Sequence, residues 1–194
     1  MALIPFDDRD GTIWLNGELL PWRDAKTHTL SHGLHYASLV FEGERVYSGS
    51  IFKGREHTER LRNSCHIMDF DIPLSDDEVD AAKMAVVEAN GITDGYVRAF
   101  CWRGSEMMAV SAQNTSTHVA IAAWEWPSYF DPETKMQGIT LDVADWKRPS
   151  PESAPVHAKA AGLYMICTLS KHEAEKKGFQ DALMLDYRGH IAEA

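Results

Sequence analysis

Cysteine is scarce in this sequence, and its cysteines are not arranged in pairs. The 194 residues include three, Cys65, Cys101 and Cys167, which are far apart and form no Cys-x-x-Cys motif. An odd and widely spaced set argues against a disulfide framework and against a zinc site built from cysteine pairs. We therefore interpret each cysteine as a small buried hydrophobic residue.

Long hydrophobic runs are also missing. No stretch approaches the ~18 consecutive apolar residues that a membrane-spanning helix needs. The first residues, MALIPFDDRDGTIW, carry acidic groups where a secretory signal has basic residues followed by an apolar run. Together with the cysteine usage, this predicts a cytoplasmic protein.

Positive charge is in deficit. The sequence has 19 lysines and arginines against 29 aspartates and glutamates, a formal net charge of −10. A general nucleic-acid binder needs a basic face that displaces counterions, so the charge argues against that class. With 44% hydrophobic residues, the chain can bury a sizeable core in one or two domains.

The first half of the chain carries clear turn and helix signals. Asn16-Gly17 between two apolar runs predicts a β-hairpin, because both residues tolerate positive φ. A strand over Leu39–Tyr47 and the Ser48-Gly49 turn predict a second strand pair. Ser75-Asp76-Asp77-Glu78 has the spacing of a capping box and predicts a helix that ends at Asn90-Gly91.

The later elements are strands around a segment rich in helix breakers. Gly95–Trp102 and His118–Trp126 are predicted strands, and Trp126–Glu133 has no periodicity and reads as a linker. The remaining predicted elements are a strand over Gly138–Asp145, a helix over Gly162–Lys177 and a strand over Asp181–Asp186.

This order of elements predicts an α+β domain over residues 1–126, a linker over 127–137, and the start of a second mixed domain over 138–194. The sequence stops inside an apparent strand, and we interpret that as truncation.

Lys159 is the first candidate for chemistry. It lies in the segment His157–Gly162, between a proline-rich loop and a predicted helix, and small residues flank it. A lysine that forms a Schiff base must be deprotonated, which burial and positive neighbours favour. Alanine and glycine neighbours let a flat ring approach the backbone. The alternative is an ordinary exposed lysine.

The histidines offer a second possibility. His28, His32 and His35 are spaced by four and three residues, which would place metal ligands on one helical face. No carboxylate or cysteine completes a convincing ligand set, so hydrogen-bonded structural histidines are the favoured interpretation.

Several further side chains have both a functional and an ordinary reading. The glycine of Phe41-Glu42-Gly43 indicates either a β-bulge or a close approach by another backbone or a ligand. Arg60 is suited to a phosphate, or else it pairs with Glu56 one helical turn earlier. Tyr96 and Arg98 share a strand face, which suits a carboxylate or is an ordinary surface pair.

The same holds for the aromatic residues near the linker and for the last acid. Trp124, Trp126 and Tyr129 wall an apolar pocket or plug a domain junction. Glu193 is either an ordinary exposed acid or a carboxylate that keeps a pyridine ring protonated.

Taken together, these motifs resemble the fold-type IV pyridoxal-phosphate (PLP) enzymes, specifically the branched-chain-amino-acid aminotransferases, over essentially the whole chain. Their order and long spacing are more specific than any one of them. The residues that carry the resemblance are Ser31–Tyr36, Val40–Gly43, Arg45–Tyr47, His57–Leu61, Tyr96–Arg98, Ala158–Gly162, Tyr164 and Gly189–Glu193.

The resemblance implies a mixed α/β fold, with a small N-terminal α+β domain and part of a larger C-terminal pseudo-barrel domain. It implies pyridoxal 5'-phosphate as cofactor. It further implies amino transfer from branched-chain L-amino acids to 2-oxoglutarate, which gives branched-chain 2-oxo acids and glutamate. A homodimer or a multiple of dimers is expected, with no metal, nucleic-acid or membrane partner.

The resemblance also implies roles for individual residues. Lys159 would form the Schiff base with the cofactor and shuttle the substrate α-proton as acid and base. Arg60 would contact the cofactor phosphate, Tyr164 the ring hydroxyl, and Glu193 the pyridine nitrogen.

Substrate contacts are implied in the same way. Tyr96 would lie near the substrate α-carboxylate, Arg98 would receive the distal carboxylate of glutamate, and Gly43 would leave room for the substrate. The residues expected to line the pocket for an aliphatic side chain are Tyr36, Phe41, Trp126 and Tyr129.

The chain departs from the family pattern in places. Glu44 stands where the family usually has an aliphatic residue, and Ala99, Ala161 and Leu163 replace frequent proline, glycine and asparagine. The family's later phosphate-binding and carboxylate-binding turns do not occur within the 194 residues, so we expect these residues alone to bind PLP poorly.

Three alternatives remain open at this point. A D-amino-acid aminotransferase or an aminodeoxychorismate lyase-like enzyme would share the fold. A non-catalytic fragment would belong to a different class, as would a metal-binding protein built on His28, His32 and His35.

Overall fold

The computed structural model describes residues 4–126 and 132–194. The chain forms two compact units, Met1–Pro127 and Ser128–Ala194. Each unit has its own sheet.

The first unit is built on an antiparallel sheet of seven strands in the order β2-β1-β7-β6-β4-β5, with β3 paired to β6 beside β4. The strands are β1 (Thr12–Leu15), β2 (Glu18–Pro21), β3 (Leu39–Phe41), β4 (Glu44–Tyr47), β5 (Ser50–Ile51), β6 (Gly95–Arg103) and β7 (Thr117–Glu125).

The predicted hairpin turns are confirmed. Asn16 and Gly17, between β1 and β2, have φ of 50° and 109°, and Ser48 and Gly49, between β4 and β5, have φ of 49° and 77°. Positive φ at both central residues gives the turn a twist that matches the flanking strands.

The α-helices among the described residues of the first unit are α1 (His32–Tyr36), α2 (Gly54–Ile67) and α3 (Asp76–Ala89). The capping box is confirmed, because the Glu78 amide donates to Ser75 Oγ (3.3 Å) and the Ser75 amide donates to Glu78 Oε2 (2.7 Å). Helices α2 and α3 pack on the sheet. The core includes the fully buried side chains of Leu61, Val79, Val86, Val97 and Ile121.

The strand predicted over Leu39–Tyr47 is divided at Glu42-Gly43 into β3 and β4. The pairing with β6 keeps one register across the interruption, since Phe41 faces Phe100 and Glu44 faces Val97. A bulge would shift that register by one residue, so the bulge interpretation of Gly43 is wrong.

The second unit has a three-stranded sheet in the order β10-β9-β8. Its elements are α4 (Pro132–Gln137), β8 (Leu141–Val143), α5 (Met165–Lys176), β9 (Asp181–Leu185) and β10 (Ile191–Glu193). Strand β9 pairs in parallel with β8 and antiparallel with β10, and α5 packs against β9.

Several predicted elements differ in extent, and the strand predicted over Gly138–Asp145 is limited to β8, Leu141–Val143. Helix α4 lies in the segment interpreted as an irregular linker, where Pro132 at the first helical position suits its fixed φ. The helix predicted from Gly162 begins at Met165, because Ala161–Leu163 forms a 3-10 turn first.

The burial of the cysteines agrees in part with the prediction from the sequence. Cys65 and Cys101 are free and fully buried, as predicted, whereas Cys167 is only partly buried. A hydrogen bond with Cys65 and burial raise the pKa of the Cys101 thiol. Within residues 4–126 and 132–194, no helix combines the length and the apolar character that crossing a membrane requires.

Candidate active site

Lys159 lies between two buried alanines, in a loop of the second unit. Ala158 and Ala160 are 4% and 2% exposed, and the Lys159 side chain is partly buried. A 3-10 turn follows, in which the Tyr164 amide donates to the Ala161 carbonyl (3.0 Å), and it reverses the direction of the chain. As a result Lys159 Nζ donates a hydrogen bond to the Tyr164 hydroxyl at 2.8 Å.

Glu193 is held by groups that the sequence did not indicate. Its Oε2 lies 3.4 Å from Arg148 Nη1 and 3.9 Å from the Cys167 thiol. Arg148 also donates to the Leu163 carbonyl at 3.1 Å, which fixes its guanidinium beside α5. Burial raises the pKa of the Cys167 thiol, and the nearby Glu193 carboxylate raises it further, so the thiol stays protonated at neutral pH.

One cleft joins these residues. Tyr164 and Glu193, 29 positions apart, both line a cleft of about 500 Å³ in the second unit. Lys159 bonds to the hydroxyl of the same Tyr164. An amine, a phenol and a carboxylate are thereby gathered in one region, although they come from a loop, a turn and a strand.

Arg60 of the first unit does not pair with Glu56, so that interpretation is wrong. Glu56 pairs with Lys53 instead, at 2.6 Å. Arg60 donates from Nε and Nη2 to the two carboxylate oxygens of Glu42, both at 2.6 Å. The partner is thus a residue of the neighbouring sheet region, 18 positions away in the chain.

Glu42 is fully buried and receives a third contact. His57 Nδ1 lies 2.9 Å from Glu42 Oε2. Burial alone would raise the pKa of Glu42, but the hydrogen bonds from Arg60 and His57 outweigh burial and hold the pKa below its ordinary value. The carboxylate is therefore ionised at neutral pH.

Tyr96 and Arg98 form a joint polar group on the sheet. Arg98 Nη2 donates to the Tyr96 hydroxyl at 3.2 Å, and the guanidinium lies 4.4 Å from the centre of the Phe41 ring. Arg98 Nε is buried and has no hydrogen-bond partner within the described parts of the chain. This pair differs from an ordinary surface pair, because Arg98 Nε is a buried hydrogen-bond donor without an acceptor among the described residues.

Position 43 has no room for a side chain, because the Tyr96 ring lies against it. A Cβ on Gly43 would lie 1.9 Å from the Tyr96 hydroxyl oxygen and 2.7 Å from Cζ. The group that approaches Gly43 is thus a side chain of the neighbouring strand, whereas the sequence suggested another backbone or a ligand.

The aromatic residues are only partly brought together. Trp126 lies next to Tyr96, with ring centres 5.7 Å apart, and Trp124 is also 5.7 Å from Trp126. Tyr36 instead stacks on His32 at 4.6 Å, and its side chain is exposed. Tyr129 lies outside the described residues.

His32 and His35 make hydrogen bonds within the first unit. His32 is buried, with Nδ1 2.6 Å from Ser38 Oγ and Nε2 2.9 Å from the Ala109 carbonyl, and His35 Nε2 lies 2.9 Å from the Thr29 carbonyl. Throughout the described ranges, no group of three or more histidine, cysteine or acidic side chains is placed to hold a metal ion.

Comparison with known proteins places the chain in a family. The family described as "Amino-transferase class IV" matches residues 39–194. The chain belongs to the class IV aminotransferases. A probable branched-chain-amino-acid aminotransferase of Rickettsia felis is 41% identical to it over all of this chain and 65% of that protein. The branched-chain-amino-acid aminotransferase of Pseudomonas aeruginosa is 42% identical over 96% of this chain and 62% of that protein.

Solved structures of class IV aminotransferases agree. The Escherichia coli branched-chain amino acid aminotransferase superimposes with a TM-score of 0.90 at 39% identity, over 95% of this chain and 62% of that one. The T.th. enzyme of the same name, solved with pyridoxamine 5'-phosphate, also has a TM-score of 0.90, at 37% identity with the same coverage. The chain therefore spans somewhat less than two thirds of these relatives, and the predicted mixed α/β, fold-type IV architecture is confirmed.

Class IV aminotransferases use pyridoxal phosphate, and the residues present fit that group. The lysine amine, the phenol and the carboxylate of the second unit match an aldehyde, a ring hydroxyl and a ring nitrogen in type. Arg60 provides a fork-shaped cation, which suits a phosphate.

Proposed function

We propose that the protein carrying this chain is a PLP-dependent aminotransferase that acts on branched-chain L-amino acids with 2-oxoglutarate as acceptor. The observation that carries the proposal is the Lys159–Tyr164 hydrogen bond beside the cleft that Glu193 shares. The names of the relatives at 41% and 42% identity support the substrate class.

The proposed chemistry divides between cofactor and chain. When bound, pyridoxal phosphate supplies an aldehyde for covalent attachment and an electron-withdrawing ring. Lys159 Nζ would provide the attaching amine and, once the substrate amine has displaced it, would take the proton from the substrate Cα and pass it on. Tyr164 fixes the position of Nζ through the 2.8 Å hydrogen bond. Arg148, whose Nη1 lies 3.4 Å from Glu193 Oε2, would help to hold this side chain in place for a contact with the ring nitrogen.

The first unit provides the proposed contacts for phosphate and substrate. Arg60 binds the cofactor phosphate. Tyr96 and Arg98 bind substrate carboxylates, with the buried Nε of Arg98 as a donor that needs an acceptor. Gly43 keeps the approach to Tyr96 open. The proposed lining for the aliphatic side chain is Tyr36, Phe41, Trp126 and Tyr129.

The alternatives in the same fold differ in substrate. A D-amino-acid aminotransferase or an aminodeoxychorismate lyase-like enzyme would use the same lysine, but the relatives at about 40% identity carry the branched-chain name. Product chirality separates the first alternative, and pyruvate release from aminodeoxychorismate the second. The homodimer and the cytoplasmic location stay predictions.

The direct test is covalent trapping. The full-length encoded protein is incubated with PLP, its visible absorbance is recorded, and it is reduced with borohydride and mapped by peptide mass. We expect a reducible absorbance band and an adduct on Lys159, because its partly buried amine is hydrogen-bonded to Tyr164, which lines the cleft.

The control and the contrary result are equally direct. Unreduced protein should lose the label on denaturation, which distinguishes a Schiff base from a stable modification. An adduct on other lysines alone, or no adduct at all, would contradict the proposal and favour a non-catalytic protein with this fold.

Arg98→Ala tests the second substrate contact. We expect kcat/KM for glutamate to fall by about 100-fold and that for leucine by less than about 5-fold, because only glutamate has a distal carboxylate for the guanidinium. The matched control is Arg23→Ala, which removes an exposed arginine paired with Asp8 and Asp10. Equal losses for glutamate and leucine would refute the role of Arg98.

A further inference from the structure

Glu42 lies on the buried face of the segment that joins β3 to β4, where apolar side chains are usual. Residues alternate between the two faces of a strand, and Val40 and Val46, on the same face as Glu42, are fully buried. Glu42 is itself 0% exposed. An ionised carboxylate at such a position is tolerated only when it is paired and hydrogen-bonded.

The pairing of Glu42 is complete and rigid. Its two oxygens accept two parallel hydrogen bonds from Arg60, each 2.6 Å, and Oε2 also lies 2.9 Å from His57 Nδ1. Its backbone amide donates to the Ala99 carbonyl at 2.7 Å, which ties the residue to β6. The carboxylate is therefore fixed by the sheet, not by the arginine that it binds.

Arg60 has the opposite character. Its side chain is 54% exposed, and it extends from α2. An exposed arginine ordinarily samples many rotamers, and its planar fork recognises a phosphate well only when its orientation is set. Here the Nε and Nη2 edge of the guanidinium is held by a buried acceptor, which fixes the plane of the group.

We propose that Glu42 is a positioning residue that orients Arg60 for the phosphate of the cofactor. The inference rests on the proposed function, since it takes Arg60 as a phosphate ligand. His57, one helical turn before Arg60, supports the same carboxylate oxygen and keeps it aligned with the arginine. The conformational cost of ordering Arg60 is thus met before the cofactor arrives.

The test compares two cofactor forms that differ only in the phosphate. Apoprotein of full encoded length is titrated with pyridoxal phosphate and with pyridoxal, and the dissociation constants are read from the visible absorbance. For Glu42→Gln we expect an about tenfold higher Kd for pyridoxal phosphate and an unchanged Kd for pyridoxal. A merely structural role of Glu42 would weaken both forms alike and would overturn the proposal.

Arg60→Lys gives a second route that does not alter a buried group. Lysine keeps the charge but cannot make the two parallel bonds to Glu42. We expect the same phosphate-specific loss, of about tenfold, as for Glu42→Gln. Parent-like affinity of Arg60→Lys for pyridoxal phosphate would show that the oriented fork is not needed, and would overturn the proposal.

A double-mutant cycle shows whether Glu42 acts through Arg60. In an Arg60→Ala background, Glu42→Gln should cause no further phosphate-specific loss, because the residue through which it acts is gone. An additive loss would overturn the proposal. The matched control is Glu18→Gln, which removes an exposed carboxylate from β2.

The outcomes also separate this inference from the proposed function. If the parent protein forms the Lys159 adduct and Glu42→Gln loses no phosphate selectivity, only the role of Glu42 is wrong. If the parent forms no adduct, the proposed function fails, and the positioning role fails with it.

Discussion

Replacing Lys159 by alanine is expected to lower kcat for leucine by at least about 1,000-fold, because the variant lacks both the attaching amine and the group that moves the α-proton. The Tyr164 hydroxyl, which accepts the 2.8 Å hydrogen bond from Nζ, stays in place but is not an amine and cannot replace Lys159 in the covalent attachment. Steady-state transamination assays with the full-length encoded protein measure the loss.

Two comparisons make that result specific. Lys176→Ala removes a lysine of α5 whose side chain is 74% exposed, and it should leave kcat within about twofold. Thermal unfolding of Lys159→Ala should match the parent, since a partly buried amine with a hydroxyl partner contributes little to stability. Retained turnover in Lys159→Ala would exclude Lys159 as the catalytic residue.

Local signals account for the elements that the sequence predicted well. Asn16-Gly17 and the Ser75–Glu78 capping box depend on the φ preferences and side-chain bonds of adjacent residues. Such features need no knowledge of the tertiary fold, so both could be read from four residues or fewer.

Contacts between residues that are distant in the sequence are predicted less accurately. The sequence offered Glu56 as the partner of Arg60, one helical turn away, whereas the structure pairs Arg60 with Glu42 through sheet–helix packing. Arg148 gave no sign of its contact with Glu193, 45 positions later. Strand alternation from Val40 would have placed Glu42 on the buried face, which was the available signal for its pairing.

The candidate residues of the second unit came from the resemblance more than from local pattern. Lys159 between alanines is a weak signal, and nothing in its immediate sequence indicates Tyr164 or Glu193 as neighbours. The 3-10 turn at Ala161–Leu163 creates the contact with Tyr164, whereas the sequence predicts a helix that already begins at Gly162.

Glu44, which departs from the family's usual aliphatic residue, is explained by Lys83. Both side chains are buried, and Lys83 Nζ lies 2.8 Å from Glu44 Oε1 and 3.0 Å from Oε2, with hydrogen-bond geometry to the latter. Nζ also donates to Thr58 Oγ1 (2.7 Å) and to the Gly54 carbonyl (3.2 Å). A buried cation on α3 thus joins β4 to α2.

Lys83→Met is therefore expected to lower the free energy of unfolding by about 3–5 kcal/mol, since it leaves Glu44 as an uncompensated buried carboxylate. Denaturant unfolding of the parent and the variant measures the difference. Thr58 also loses a partner and adds to the loss. A change below about 1 kcal/mol would show that the pair contributes little.

The pH dependence and a rescue variant identify the cause of that loss. Burial raises the pKa of Glu44, and Lys83 opposes the rise, so removing Lys83 raises the pKa further. A raised carboxyl pKa favours the folded state at low pH, and that stability is lost as pH rises through it. The difference in the free energy of unfolding between parent and Lys83→Met should therefore be smaller at pH 5 than at pH 8.

The double variant Glu44→Leu with Lys83→Met, which restores an aliphatic residue at position 44, should recover most of the stability, because an apolar pair replaces a buried ion pair at little cost. If the double variant did not recover the stability, the loss in Lys83→Met would come from the packing of the Lys83 side chain and not from the charge of Glu44.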